Sequence, residues 1–320
     1  MTELNENSGI AELQKLPFWN PEEILLSVEP AGESNMNLVL RIKTNTRNLI
    51  LKQSKPYVRK YPQIPAPIER IEVEHQFLQL ISSDEVLANQ APTVIHFEQK
   101  EHMLITGDLG KSADFSRIYS GNASLEAAHI RELTKFLNRL HKLNAGGFPD
   151  NMAMRRLNHE HIFHFPFLLD NGFDLDQVQA GLQEISLVYK KDEILKSEIE
   201  KLGIRYLSRG SSLLHGDYYP GSWLDTPSGV KVIDPEFGFL GDPEFDLGVF
   251  LAHLDLGRQE EKLKALVLEN YTNPVDKKLV NQYRGVEILR RLIGIAQLPV
   301  HFSLEGKSEL MESAKNFILN

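Results

Sequence analysis

The sequence has 320 residues, 42% of them hydrophobic and 25% charged, with a formal net charge of −9, which suits a chain with a full core and room for two lobes. Cysteine is absent, so disulfides, thiolate catalysis and cysteine-ligated zinc are excluded, and the acidic balance disfavours unspecific nucleic-acid binding. No window approaches the roughly 18 apolar residues of a membrane helix, and the opening MTELNENSGIAELQK lacks the basic-then-apolar order of a signal peptide, so a cytoplasmic setting with no membrane partner is expected.

The polar residues up to Gln14 read as a frayed start, followed by Leu16 to Trp19 packing onto a first lobe. Ile24 to Val28 is an apolar run, EPAGESNMN at 29–37 is rich in turn residues, and Leu38, Leu40 and Ile42 alternate onto one face. This predicts strand, tight loop, strand. Asn45 to Asn48 supplies the next turn, and Leu49-Ile50-Leu51-Lys52 a third strand whose lysine shares a face with Ile50. One glycine, Gly32, is a weak phosphate-cradling signal, and a lysine at a strand end commonly just snorkels; the order of the parts carries more than either.

KPYVRKYPQIPAP predicts an ordered but irregular loop, and Ile71, Phe77, Leu78, Leu80 and Ile81 predict a helix over 68–81. Glu72 and Glu74 stand about 200° apart on such a helix, so only one can face Lys52; Glu74, four before Leu78, is better placed. Val94 to Phe97 and His102 to Ile105 complete a five-stranded sheet, and Thr106 to Gly110 falls where a hinge to a second lobe belongs. The lobes are therefore expected over 1–107 and 108–320.

Ser124 to Leu143 carries one apolar helical stripe, and Leu182 to Leu207 reads as one or two charged amphipathic helices. His159, His161 and His164 do not make HExxH, because the third follows Glu160 by four positions rather than three; structural or surface histidines are expected. At 213–246, LLHGDYYPGSWLDTPSGVKVIDPEFGFLGDPEFD, an apolar segment delivers Asp217 into a glycine-containing loop. A hairpin turning at Asp225 to Gly229 then leads to Asp234, and is expected to bring the two carboxylates together. With Glu236 and Ser222 they make a hard-oxygen set suited to Mg²⁺ and to phosphoryl transfer. Helices are predicted over Glu261 to Tyr271, Asp276 to Leu298 and Ser308 to Leu319. The middle one carries Arg290 and Arg291, which diverge by about 100°; they read equally as a solvent-facing pair or as a clamp on substrate oxygens.

With its parts in this order, the chain resembles the kinase-like small-molecule phosphotransferases, the group that includes aminoglycoside, choline and methylthioribose kinases. His215-Gly216-Asp217 and Ile233-Asp234 match the group's catalytic loop and metal-binding strand end, but the asparagine expected five residues after the aspartate is Ser222. Ser222, Asp234-Pro235-Glu236-Phe237, Asn35-Met36-Asn37-Leu38-Val39, Lys52-Gln53 and Arg290-Arg291 look most like the methylthioribose kinase branch. Tyr218-Tyr219-Pro220 departs from that branch where a sugar could be read, and the chain is shorter.

The resemblance implies an α+β, two-lobed protein-kinase-like fold, with an antiparallel five-stranded amino-terminal sheet and a mostly helical carboxy-terminal lobe. It implies ATP and Mg²⁺ as cofactors and a small-molecule hydroxyl acceptor as partner, and it leaves a homodimer open. By carry-over Asp217 is the catalytic base, and Asp234, Glu236 and Ser222 face the metal. Gly32, Ser34, Asn35, Asn37, Lys52, Glu74, Ile105 and Gly107 serve the nucleotide, and Arg290, Arg291 and Tyr218 face the acceptor. The rival class is a non-catalytic nucleotide-binding protein on the same scaffold, favoured by Ser222 and the single glycine and opposed by the joint retention of Lys52, Asp217 and Asp234. A metal-dependent hydrolase is weaker still, since no paired histidine-carboxylate sites are present.

Overall fold

A computed structural model of the chain describes residues 3–32, 34–121 and 123–320; Glu33, within the predicted nucleotide loop, lies outside them. The fold divides into two units, Met1–Ala113 with Asp225–Gly238, and Asp114–Leu224 with Phe239–Asn320.

In the first unit the strands Leu25–Pro30, Leu38–Thr44, Asn48–Gln53, Met103–Gly107 and Val94–Glu98 form, in that spatial order, the five-stranded antiparallel sheet. Alternation sends Leu38, Leu40, Ile42, Leu49, Leu51, Met103 and Ile105 into one buried cluster. Leu4 and Leu13 join that cluster at 0% exposure, and the Leu4 amide donates to Gln53 Oε1 at 3.1 Å. The amino-terminal stretch expected to fray is thus docked. Its apolar residues are too sparse to show a period, yet each buried leucine contributes about 1.5–3 kcal/mol.

The opposite face carries Lys52, which pairs in register with Val39 and Leu104, and Ile50, which pairs with Arg41 and Thr106. The helix Arg70–Ile81 supplies Glu74 to Lys52. The irregular loop before this helix contains a short hairpin, Tyr57–Val58 against Tyr61–Pro65. Further along, Asp225–Gly238 is tied to the unit by the Val232 amide on Gln90 O at 2.7 Å and Lys231 Nζ on Asn89 O at 2.5 Å.

The second unit is mostly helical. The predicted stripes form Ala127–Leu140, Leu182–Lys190, Glu193–Leu207, Glu261–Asn270, Lys277–Ile293 and Leu304–Leu319. A further helix, Pro243–Leu256, escaped the pattern because twelve of its fourteen residues are buried, leaving no polar face to mark a period of 3.6. It packs on Lys277–Ile293 at Gly248, where a Cβ would come within 2.6 Å of Tyr283 Cβ and 2.9 Å of Val280 O. Only glycine permits that approach. Among the described residues no helix is long and apolar enough to cross a membrane.

Candidate active site

In the first unit, Lys52 Nζ lies 2.5 Å from Glu74 Oε1 and also contacts Asp234 Oδ1. Glu72 instead accepts from Gln99 at the surface, which decides between the two helix carboxylates. Burial pushes the Lys52 ammonium down, but Asp234 and Glu74 overcome it and hold the group above its ordinary value. Asp234 sits in the left-handed region at φ +63, a conformation that aspartate tolerates better than most residues and that collects at functional sites.

Behind this pair lies a fully buried guanidinium absent from the expected set. Arg70 donates to Asn37 Oδ1 at 2.9 Å, Met36 O at 2.8 Å, Lys55 O at 2.8 Å and Pro67 O at 2.7 Å, and its Nε is 3.3 Å from Glu236 Oε2. Asn37 Nδ2 donates to the same Glu236 oxygen at 2.8 Å, and Asn37 Oδ1 also accepts from Ser54 Oγ at 3.0 Å. One arginine thereby fixes the turn after Gly32 and the carboxylate of Glu236, which burial, against Arg70, pushes up to about 7. The signal was available: Arg70 precedes Glu74 by four, one helical turn on the same face. In the turn itself, the Asn37 amide donates to Ser34 Oγ at 3.4 Å, Ser34 O accepts from Arg59 at 2.9 Å and Asn35 O from the Lys60 amide at 3.0 Å. The Asn37 side chain is therefore committed to holding Glu236 and Arg70.

Of the residues expected to serve the nucleotide, Ile105 and Gly107 are part of the sheet. Ile105 lies mid-strand between two paired strands and on the face opposite Lys52, and the Gly107 amide is already donated to Thr93 O at 2.9 Å. Thr106 and Leu104 are the residues of this strand that share the Lys52 face.

In the second unit, the paired strands Ser212–Leu214 and Phe239–Gly241 lead into His215-Gly216-Asp217. Gly216 adopts φ +81, which favours glycine. The buried Asp246 carboxylate accepts from the His215 amide at 2.7 Å and the Gly216 amide at 3.0 Å, with His141 Nε2 at 3.2 Å. Asp246 therefore sets the loop that presents Asp217. A lone carboxylate in the apolar run FDLGVFLA was the sign of it. Asp246→Asn, which turns an NH₂ toward one of those amides, is expected to cost about 2–3 kcal/mol in urea unfolding and to lower turnover with it.

Ser222 Oγ donates to the Asp217 carbonyl at 3.0 Å, so its proton braces the loop while its lone pairs remain for another partner. Tyr218 is corrected from the acceptor side to the core: it is 0% exposed, its hydroxyl donates to Leu133 O at 2.9 Å, and its ring stacks on Phe136. Tyr219 takes the outward position, with the Arg291 guanidinium carbon 5.3 Å from its ring centre.

Arg291 Nη2 reaches to 3.9 Å from Asp217 Oδ1, and both Arg290 and Arg291 are buried and bonded through Nε to Glu287. Burial raises the Asp217 carboxyl above its ordinary value, and Arg291 and then Arg290 oppose the rise. Among the described residues no three His, Cys, Asp or Glu side chains converge to hold a metal unaided. The first unit does present two carboxylates on one short turn, Asp234 and Glu236. That donor set fits Mg²⁺, which takes one or two carboxylates plus phosphate oxygens.

The sequence profile of the phosphotransferase enzyme family matches residues 27–272. A methylthioribose kinase of Exiguobacterium sibiricum is 30% identical over 72% of this chain, which spans only 61% of that protein's own length. A methylthioribose kinase of Bacillus mycoides is 24% identical, over 89% of this chain and 83% of that one. Among solved structures, the choline kinase LicA from Streptococcus pneumoniae superposes with a TM-score of 0.56 at 15% identity, over 92% of this chain and 93% of its own. A spectinomycin phosphotransferase follows at 0.54 and 14%, over 92% and 93%; these two likenesses show the protein-kinase-like fold.

Proposed function

The chain belongs to the phosphotransferase enzyme family, and from that premise we propose that it transfers the γ-phosphoryl group of ATP to a hydroxyl of a small neutral metabolite, methylthioribose or a related sugar. The observation that carries the choice of acceptor is the charge beside Asp217. Two buried guanidinium groups, Arg290 and Arg291, face two carboxylates, Glu287 and Asp217, so with Asp217 ionised the charges of these four side chains balance and neither carboxylate is in surplus. Choline or an aminoglycoside would bring a cation up to the two guanidinium groups with no surplus carboxylate among these four to meet it; a hydroxylated sugar would not. The names of the relatives from Exiguobacterium and Bacillus point the same way.

In this reading Asp217 orients the acceptor hydroxyl and accepts its proton, and Ser222 and Asp246 hold Asp217 in place. Lys52, braced by Glu74, binds nucleotide phosphate, and the turn residues Ser34 to Asn37, tied to Arg70 through Met36 and Asn37, cover it. Asp234 and Glu236 would hold Mg²⁺, whose charge stabilises the transferring phosphoryl group when bound. The rest of the rate comes from positioning. ATP consumption stimulated by an acceptor and abolished by a chelator tests the reading; ATP binding without acceptor-stimulated consumption would favour a non-catalytic nucleotide-binding protein.

The arginines also make a pH prediction. Asp217 must be ionised to take a proton, so the acid limb of kcat/KM follows its pKa. Arg291 opposes the rise caused by burial. Arg291→Ala should therefore raise that pKa and move the acid limb to higher pH, in addition to lowering kcat. A limb that stays put or moves to lower pH in pH-rate profiles would remove Arg291 from this role.

A further inference from the structure

Adjacent arginines on a helix leave it about 100° apart, so Arg290 and Arg291 would not converge unaided. Glu287 lies three and four residues before them, the two spacings that share a helix face. Its Oε2 accepts from Arg290 Nε, and its Oε1 from Arg291 Nε at 2.8 Å and from His253 Nε2 at 3.0 Å. The carboxylate is 1% exposed. Against the upward push of burial, Arg290, Arg291 and His253 hold it well below the usual carboxylate range.

An ionised carboxylate only accepts, so His253 Nε2 carries the hydrogen. Burial pushes His253 down to about 4, so the ring is neutral and its Nδ1 is an acceptor. The buried Tyr119 hydroxyl, 2.6 Å away, donates to it. Each arginine thus spends its Nε on Glu287 and keeps its terminal nitrogens for other partners, and Arg291 Nη2 stands 3.9 Å from Asp217 Oδ1.

We propose that Glu287 is a positioning residue that turns two neighbouring arginines into one convergent pair beside Asp217, with His253 and Tyr119 holding its carboxylate from behind. The kinetic consequence rests on the role given to Asp217 above; the geometric one does not. Simple charge neutralisation is the alternative. Glu287→Asp separates the two, because it keeps the charge and withdraws it by one methylene.

The test uses the full chain labelled with ¹⁵N-arginine, with the Nε–H signals of Arg290 and Arg291 assigned through Arg290→Lys and Arg291→Lys. Glu287→Asp should speed the exchange of both protons with water by roughly tenfold or more, and unchanged exchange overturns the proposal whatever the acceptor is. If Glu287→Asp does not fold, Tyr119→Phe takes its place, since it leaves the buried charges paired; it should speed the same exchange, and no change again overturns the proposal. With Mg-ATP and methylthioribose, Glu287→Asp should lower kcat by about 10²-fold, while in an Arg291→Ala background the same change should cost less than about threefold. Equal losses in both backgrounds would mean that Glu287 does not act through Arg291. A wild-type chain inactive on methylthioribose would refute the acceptor and leave the exchange rates to decide the role of Glu287.

Discussion

Asp217→Asn is expected to keep nucleotide binding and to lose about 10²- to 10⁴-fold in turnover, the range that a positioned general base supplies. The substitution preserves the volume of the side chain. It also leaves the anchors of the loop intact, because Asp246 holds the His215 and Gly216 amides and Ser222 holds the Asp217 carbonyl, none of which involves the Asp217 carboxylate. What disappears is the acceptor for the hydroxyl proton. Comparing nucleotide affinity by titration with kcat in the same preparation separates the two effects. Turnover within a few-fold of wild type would take the proton-accepting role away from Asp217.

Arg70→Met should produce the largest loss of stability in the first unit, about 3–5 kcal/mol, the cost of removing one partner of a buried ion pair. The Arg70 side chain is 0% exposed, and it satisfies Asn37, three backbone carbonyls and Glu236 at once. Without it Glu236 would be a buried carboxylate facing Glu74 and Asp234, with Lys52 and the Asn37 amide group opposing them. Arg70→Lys should recover only part of the loss, since an ammonium cannot reproduce the planar fork that reaches several acceptors. Urea unfolding measures both variants, and a loss below about 1 kcal/mol for Arg70→Met would show that its contacts are dispensable.

How much of this could be read from sequence depends on the range of the interactions. The five strands were legible because Leu38, Leu40 and Ile42 and their counterparts alternate, and alternation is local. Helix geometry allows only one of Glu72 and Glu74 to face Lys52 and favours Glu74 without deciding it; the structure has that pairing. Arg70, Asp246 and Glu287 carry local signs, a four-residue step to Glu74, an apolar run and the three- and four-residue steps to the arginines, but their roles depend as well on partners 33, 31 and 34 residues away in Asn37, His215 and His253. The two tyrosines after Asp217 differ only in which side of the loop they take: Tyr218 goes to the core and Tyr219 to Arg291. Local pattern cannot tell adjacent aromatic residues apart. The strand expected over His102 to Ile105 forms as Met103–Gly107, taking in Thr106 and Gly107 of the expected hinge, and its alternation puts Ile105 on the face away from Lys52.

A phosphotransferase site whose base is flanked by two buried arginines is proposed to act on a neutral sugar. The most direct measurement is kcat/KM for methylthioribose against choline and an aminoglycoside, with Mg-ATP and the phosphorylated product identified by mass. A preference for methylthioribose of at least roughly 10²-fold is predicted, the discrimination that an unfavourable charge contact of a few kcal/mol produces. A cationic acceptor turned over with equal or higher kcat/KM would contradict it.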